Sequence, residues 1–188
     1  MIAFAAVKWS WIVFGSFWVL AAFVQKRNAR RQSVGSRVMQ MSIILLAILP
    51  FSVEARWVGF LARHPYPDLP AVQYFGVLLL WLGLGFAVWA RFELGRNWSG
   101  IVTVKENHNL ITSGPYAWVR HPIYTGILLG LLGTAVTLGT ILNLVEVPVV
   151  AVSLWLKLRT EERFMSETFG EQYTAYREQV KALIPHVI

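Results

Sequence analysis

Two short stretches hold most of the side chains able to do chemistry. Residues 114–126 read GPYAWVRHPIYTG and set Tyr116, Trp118, Arg120, His121 and Tyr124 between two glycines. Residues 157–163 read KLRTEER and set Glu161 and Glu162 just after Arg159. A guanidinium grips a carboxylate with two parallel hydrogen bonds, a carboxylate receives an ammonium or a sugar hydroxyl, and aromatic faces attract cations. Taken singly, each residue has a plainer explanation. Arg120 and His121 would anchor a helix end at lipid headgroups, and Trp98, Tyr116 and Trp118 would be interfacial aromatics. Paired glutamates most often line a solvated helix face. His108 and His121 lie thirteen residues apart with no paired ligand motif, so no metal site is expected. The chain has no cysteine, which excludes disulfides, thiolate catalysis and Cys-ligated metal.

The segments that must position these residues are membrane-like. Of 188 residues, 56% are hydrophobic and 14% are charged, where a soluble domain carries about 25% charged residues. Five apolar runs, at 4–25, 38–61, 71–90, 122–140 and 142–158, approach or reach the length that crosses a bilayer. The first contains Lys8, which can snorkel to an interface. It is too long for a signal peptide and ends without a small-residue cleavage site. The second is broken by Pro50. The fourth and fifth are joined by almost nothing, as in a tight helical hairpin. Its glycines (Gly126, Gly130, Gly133, Gly139) suit close helix packing, and the GLG at Gly83–Gly85 lacks the rest of a dinucleotide fingerprint. From Arg159 onward the chain is polar and amphipathic, and helix outside the bilayer is expected there.

Charge sets the expected orientation. Five basic residues fall in 26–37, four in 91–121 and five from Lys157 onward, against Arg63 alone in 62–70. Excess Lys and Arg mark cytoplasmic loops. The expected fold is therefore an all-α, multi-pass integral membrane protein of about five transmembrane helices, in one domain over 1–188. Its N-terminus is outside, its C-terminus inside, and the chemistry-bearing residues lie on the cytoplasmic side. The net charge of +7 is explained by these loops, and no nucleic-acid recognition motif accompanies it.

The order of the pieces adds more than any one of them. GPYAWVRHPIYTG, an apolar hairpin, RTEE and then FGEQYTAYREQV resemble the isoprenylcysteine carboxyl methyltransferase family and, more loosely, the membrane phospholipid N-methyltransferases. The resemblance covers residues 93–185. It implies an enzyme that uses S-adenosylmethionine without a Rossmann fold. By that resemblance, His108, Asn109, Leu110 and Ile111 match the cofactor strip, Tyr116 its tyrosine, and His121, Pro122, Ile123 and Tyr124 its HPxY element. Arg159 resembles an arginine assigned to the substrate, and Glu161 or Glu162 a glutamate at the cofactor. A family glutamine ahead of the strip aligns with Ile101. Arg120 or Arg159 suits the carboxylate of such a cofactor, a glutamate its ammonium or ribose, and Tyr116, Trp118 and Tyr124 its adenine and sulfonium.

The implied acceptor is a lipophilic molecule entering from the bilayer, most like a prenylated cysteine. Its carboxylate would be oriented by Arg159, and no general base is required. A phospholipid or other small lipophilic acceptor is the competing reading. A lipid amine must first lose a proton, with Glu162 as the acceptor of it. Two further readings are an NADPH-dependent membrane reductase of the sterol reductase type, usually a much longer chain, and a non-enzymatic membrane scaffold. The second leaves the clustering of Arg120, His121, Tyr124 and Glu162 unexplained.

Overall fold

The computed structural model describes residues 2–22, 59–95 and 110–187. Every regular element among them is helical. Helix α1 spans Ile2–Ala22, α2 Pro70–Leu94, α3 Pro122–Leu138, α4 Ile141–Phe169 and α5 Glu171–Gln179, with short 3-10 turns at Gly59–Ala62 and Gly114–Ala117. Helices α1, α2 and α4 are long and apolar enough to cross a membrane. The second expected span, 38–61, lies outside the described residues except at its end, where Gly59–Ala62 is a 3-10 turn.

Helix boundaries follow from local chemistry. Proline stands at the start of both α2 and α3, where a missing N–H costs nothing and the fixed φ is already helical. Helix α3 ends at Gly139 with φ 69°, whose N–H closes on the Ala135 carbonyl. A side chain is disfavoured in that left-handed conformation. Thr140 then caps α4 by accepting from the Asn143 N–H. With 17 residues, α3 is roughly 26 Å long.

The α2–α3 pair is the tightest joint. A Cβ built on Gly83 would sit 2.5 Å from the Gly126 carbonyl oxygen, and one on Gly133 would sit 2.4 Å from the Leu80 nitrogen. Gly76 and Gly126 are equally closed in by the facing backbone. The backbones therefore touch directly, in the manner of small-residue membrane interfaces. Among the described residues Gly85 meets no neighbour, so of the GLG pair only Gly83 packs there. Helix α1 is tied on by two indole hydrogen bonds: Trp11 donates to Thr134 Oγ1 and Trp81 donates to Ser10 Oγ, both at 2.9 Å.

One expectation changes at the C-terminal end. The fifth apolar run ends at 158 with helix expected beyond it, and α4 carries through both as one helix, unbroken to Phe169. Residues 159–169 contain neither glycine nor proline, and the first breaker is Gly170, at φ 53°. But not everything after Arg159 is helix. Beyond α5 the chain turns extended at Val180, and a parallel bridge joins Lys181 to Val119. The Arg120 and His121 N–H groups donate to the Lys181 and Ala182 carbonyls at 2.8 and 2.9 Å.

Because the α2–α3 joint leaves no room for a side chain, Gly133→Val is expected to force the helices apart. The expected loss is about 1–3 kcal/mol, read as a lower unfolding midpoint of the detergent-solubilised protein. Gly85→Ala, which meets no neighbour among the described residues, serves as the control and should melt like the wild type.

Candidate active site

The site forms where four chain segments converge: the end of α2, the 114–121 turn, the start of α3 and the polar extension of α4. The hairpin geometry makes this happen. Helix α3 leads away from His121, and α4 returns over 20 residues or so to Glu161 and Glu162. At about 1.5 Å per residue the two legs are nearly equal, so RHP and RTEE meet at the same end. The turn itself is anchored to α2 by a hydrogen bond from Ser113 Oγ to Glu93 Oε1. From the other side, the Tyr176 hydroxyl donates to the Tyr116 carbonyl at 2.6 Å.

Glu162 is the centre of an ion-pair cluster. Arg120 donates to its Oε1 from Nε at 2.8 Å and approaches it with a second guanidinium nitrogen at 2.6 Å. His121 Nε2 lies 3.3 Å from the same oxygen, and Arg177 Nε lies 3.7 Å from Oε2. The remaining Arg120 nitrogen donates to the carbonyls of Val180 and Arg177. Both partners are nearly closed off, with side chains 9% and 10% exposed. Glu162 lies beyond the apolar stretch that ends at Leu158. Burial alone would raise its pKa, but hydrogen bonds and positive charge from His121 and Arg120 outweigh burial and hold the carboxyl at about 2, against an ordinary 4.5.

Glu161 is held differently. The Tyr124 hydroxyl donates to its Oε1 at 2.6 Å, His121 Nδ1 lies 3.6 Å from its Oε2, and Lys157 Nζ lies 3.7 Å from Oε1. No guanidinium touches it among the described residues, and its side chain is 22% exposed, twice as open as that of Glu162. The His121 and Tyr124 rings stack in parallel, 5.5 Å apart and 5° from coplanar. His121 thus has one ring nitrogen towards each glutamate.

The other residues singled out in the sequence are distributed as follows. Tyr116 and Pro122 are buried, and Leu110, Ile111 and Ile123 are half-buried. Leu110 and Ile111 lie in irregular chain leading into the 3-10 turn. His108, Asn109, Trp98 and Ile101 lie outside the described residues. Arg159 is exposed and lines an open cavity of about 520 Å³ with Glu162, Arg163, Ser166, Glu167 and Arg177. Among the described residues no group of three or more His, Asp or Glu side chains is arranged to hold a metal ion. Sequence reasoning passed over Lys157, Arg177 and Thr125, whose hydroxyl donates to the Leu183 carbonyl at 2.7 Å. For Lys157 the spacing of four from Glu161 was a usable signal. For Thr125 there was none, since its partner is a backbone carbonyl.

Comparison with known proteins agrees with this architecture. The family described as Phospholipid methyltransferase matches residues 72–172. The protein-S-isoprenylcysteine O-methyltransferase of Schizosaccharomyces pombe is 38% identical over 102 residues, covering 51% of this chain and 42% of that one. Protein-S-isoprenylcysteine O-methyltransferase A of Arabidopsis thaliana is 31% identical over 150 residues, covering 77% of this chain and 72% of that one. The chain thus spans less than half the length of the first and nearly three quarters of the second. A solved structure of the eukaryotic intramembrane Ras methyltransferase, isoprenylcysteine carboxyl methyltransferase, superposes with a TM-score of 0.51 at 24% identity. It covers 85% of this chain and 55% of that one, which speaks for the fold. The chain belongs to the isoprenylcysteine carboxyl methyltransferase family, related to the membrane phospholipid methyltransferases. With three helices apolar and long enough to cross a membrane among its described residues, it is an integral membrane protein.

The depressed carboxyl of Glu162 makes stability pH-dependent. The folded state binds this proton more weakly than the unfolded chain, so the contribution is complete above about pH 5 and is lost as pH falls towards 2. Replacing Glu162 with Gln leaves Arg120 buried without its counter-ion, at an expected cost of about 3–5 kcal/mol. The measurement is thermal unfolding in detergent across an acid series. The variant should melt lower at pH 7 and change less than the wild type between pH 5 and 2. Equal midpoints at pH 7 would show that the pair contributes nothing.

Proposed function

We propose that the protein transfers a methyl group from S-adenosylmethionine to a lipophilic acceptor in the membrane, most like the carboxylate of a prenylated cysteine. The observation that carries this reading is the open, hydrogen-bonded carboxylate of Glu161 beside the stacked rings of His121 and Tyr124. It stands at the end of an apolar helix hairpin, as a site serving a lipid must. The names of the relatives, protein-S-isoprenylcysteine O-methyltransferases, support the acceptor class.

The donor set fits that cofactor in charge and shape. Glu161 receives its ammonium or ribose hydroxyls, and the His121–Tyr124 stack offers π-faces to a cationic and aromatic ligand. Tyr116, Pro122 and Ile123 form the wall behind them, with Leu110 and Ile111 leading into it; His108 and Asn109 belong to the same cofactor strip by the family resemblance. When bound, S-adenosylmethionine supplies a methyl carbon already activated by its sulfonium. What remains for the protein is alignment and the exclusion of water. A carboxylate acceptor needs no base, so Glu162 is free to stay ionised and locked. In this arrangement Arg120, whose donors are turned to Glu162 and to two backbone carbonyls, holds the walls in place, and Arg159 steers the acceptor from the open side. The whole chain, 1–188, acts as one domain with the site on the cytoplasmic side.

A phospholipid or other small lipophilic acceptor is the second reading, favoured by the family description that matches residues 72–172. Its amine would have to be deprotonated, and Glu162, held at about 2, is a poor base for that step.

Calorimetric titration of the detergent-purified protein with S-adenosylhomocysteine, beside NADPH, tests the cofactor. Micromolar binding of the first is expected, weakened about 10- to 100-fold in Glu161→Ala, as loss of a charged hydrogen bond implies. Binding of NADPH instead, or no binding of either, would overturn the reading.

A further inference from the structure

Lys157 is only loosely held by the fold. A lysine near the end of an apolar helix normally runs its stem outward and places its ammonium among the headgroups. This one is buried, its side chain only 10% exposed. It turns inward between α3 and α4, with Nζ 5.2 Å from the centre of the Tyr124 ring. Among the described residues its one ionic partner is Glu161 Oε1 at 3.7 Å, beyond hydrogen-bonding distance, and that same oxygen already accepts from the Tyr124 hydroxyl at 2.6 Å. Among the described residues Nζ makes no hydrogen bond. An ammonium carries three N–H donors, and those of Lys157 are left available to a ligand.

Its position matters as much as its charge. Lys157 lies one turn before Glu161 on α4, about 6 Å towards the apolar part of the helix. A molecule anchored in the bilayer by a hydrocarbon tail, with its head directed at the Glu161–Tyr124 cluster, meets Lys157 on the membrane side of that cluster.

We propose that Lys157 receives the negatively charged head of the lipid acceptor and selects a carboxylate over an amine. The proposal rests on the methyltransferase reading above and deepens it. With a carboxylate in place, one oxygen pairs with the ammonium and the other keeps a free lone pair for attack. The new O–C bond forms as the bond from methyl carbon to sulfur breaks, the electron pair stays on sulfur, and no proton moves. The acceptor's negative charge and the donor's positive charge cancel. A protonated lipid amine would instead be brought against a buried cation, an arrangement that disfavours it before any chemistry begins.

The test uses binding rather than turnover. N-acetyl-S-farnesylcysteine, a monoanion, and its uncharged carboxamide are titrated into wild-type, Lys157→Met and Lys157→Arg protein in detergent, with S-adenosylhomocysteine titrated into each as a check on the neighbouring site. The wild type should bind the carboxylate about 10- to 100-fold more tightly than the carboxamide. That preference should collapse in Lys157→Met and persist in Lys157→Arg, while S-adenosylhomocysteine affinity stays within about fivefold throughout. A preference unchanged in Lys157→Met, or one already lacking in the wild type, overturns the role of Lys157. Loss of S-adenosylhomocysteine binding in Lys157→Met alone also overturns it, because Lys157 would then be positioning Glu161. Failure of the wild type itself to bind S-adenosylhomocysteine is a different result, and it is the methyltransferase reading that falls.

Discussion

The pairing of Glu162 with Arg120 is the contact on which the rest of this end of the molecule depends. One carboxylate oxygen draws in Arg120 and His121 from the start of α3, and the other faces Arg177 from α5. Arg120 in turn donates to the carbonyls of Val180 and Arg177. Three segments far apart in sequence are thereby fixed around a single side chain. The chain beyond α5 buries little of its apolar area: Ala182 and Leu183 pack beside Leu158, while Ile184 and Val187 are exposed. Its remaining order comes from backbone N–H groups of Arg120 and His121 and from the Thr125 hydroxyl. Without the central pair those contacts have nothing to hold them in register.

That pairing is possible only because the helices beneath it are set so closely. Glycines 76, 83, 126 and 133 bring α2 and α3 into backbone contact, which fixes where the 114–121 turn can sit relative to the end of α2. In hydrocarbon there is no hydrophobic force between helices, so close van der Waals packing and the indole hydrogen bonds from Trp11 and Trp81 carry the association. The polar cluster sits on this packed frame and does not create it.

Much of this was legible in the sequence, for particular reasons. The apolar runs at 71–90 and 122–140 were readable because a bilayer demands length and hydrophobicity, and α2 and α3 fall there within a few residues. That RHP and RTEE converge followed from two legs of similar length joined by a tight turn. Other features had no signature. The division of labour between Glu161 and Glu162 depends on the roughly 100° that separates neighbouring residues on a helix, and on which wall each then faces. The strap at 180–183 is held mainly through its backbone carbonyls, which every residue has. Helix past Leu158 was expected from the amphipathic pattern; that it is one helix with the apolar run follows from the lack of any breaker before Gly170.

The two adjacent glutamates show why the site carries so much charge at a membrane's edge. A buried ion pair gives little net stability compared with apolar side chains of the same size, since desolvation consumes most of the attraction. A cluster of Arg120, His121, Lys157 and Arg177 around two carboxylates is therefore poorly explained as a stabilising device. It is better understood as a positioning device with one fixed member and one accessible one. Glu162, saturated by guanidinium, cannot move without stranding Arg120, and through His121 it fixes the imidazole that also faces Glu161. Glu161 takes its orientation from neutral and weaker partners, and so keeps capacity for a ligand. An apolar core would have held the helices together as well, but it would have had no means of presenting one carboxylate in a set direction.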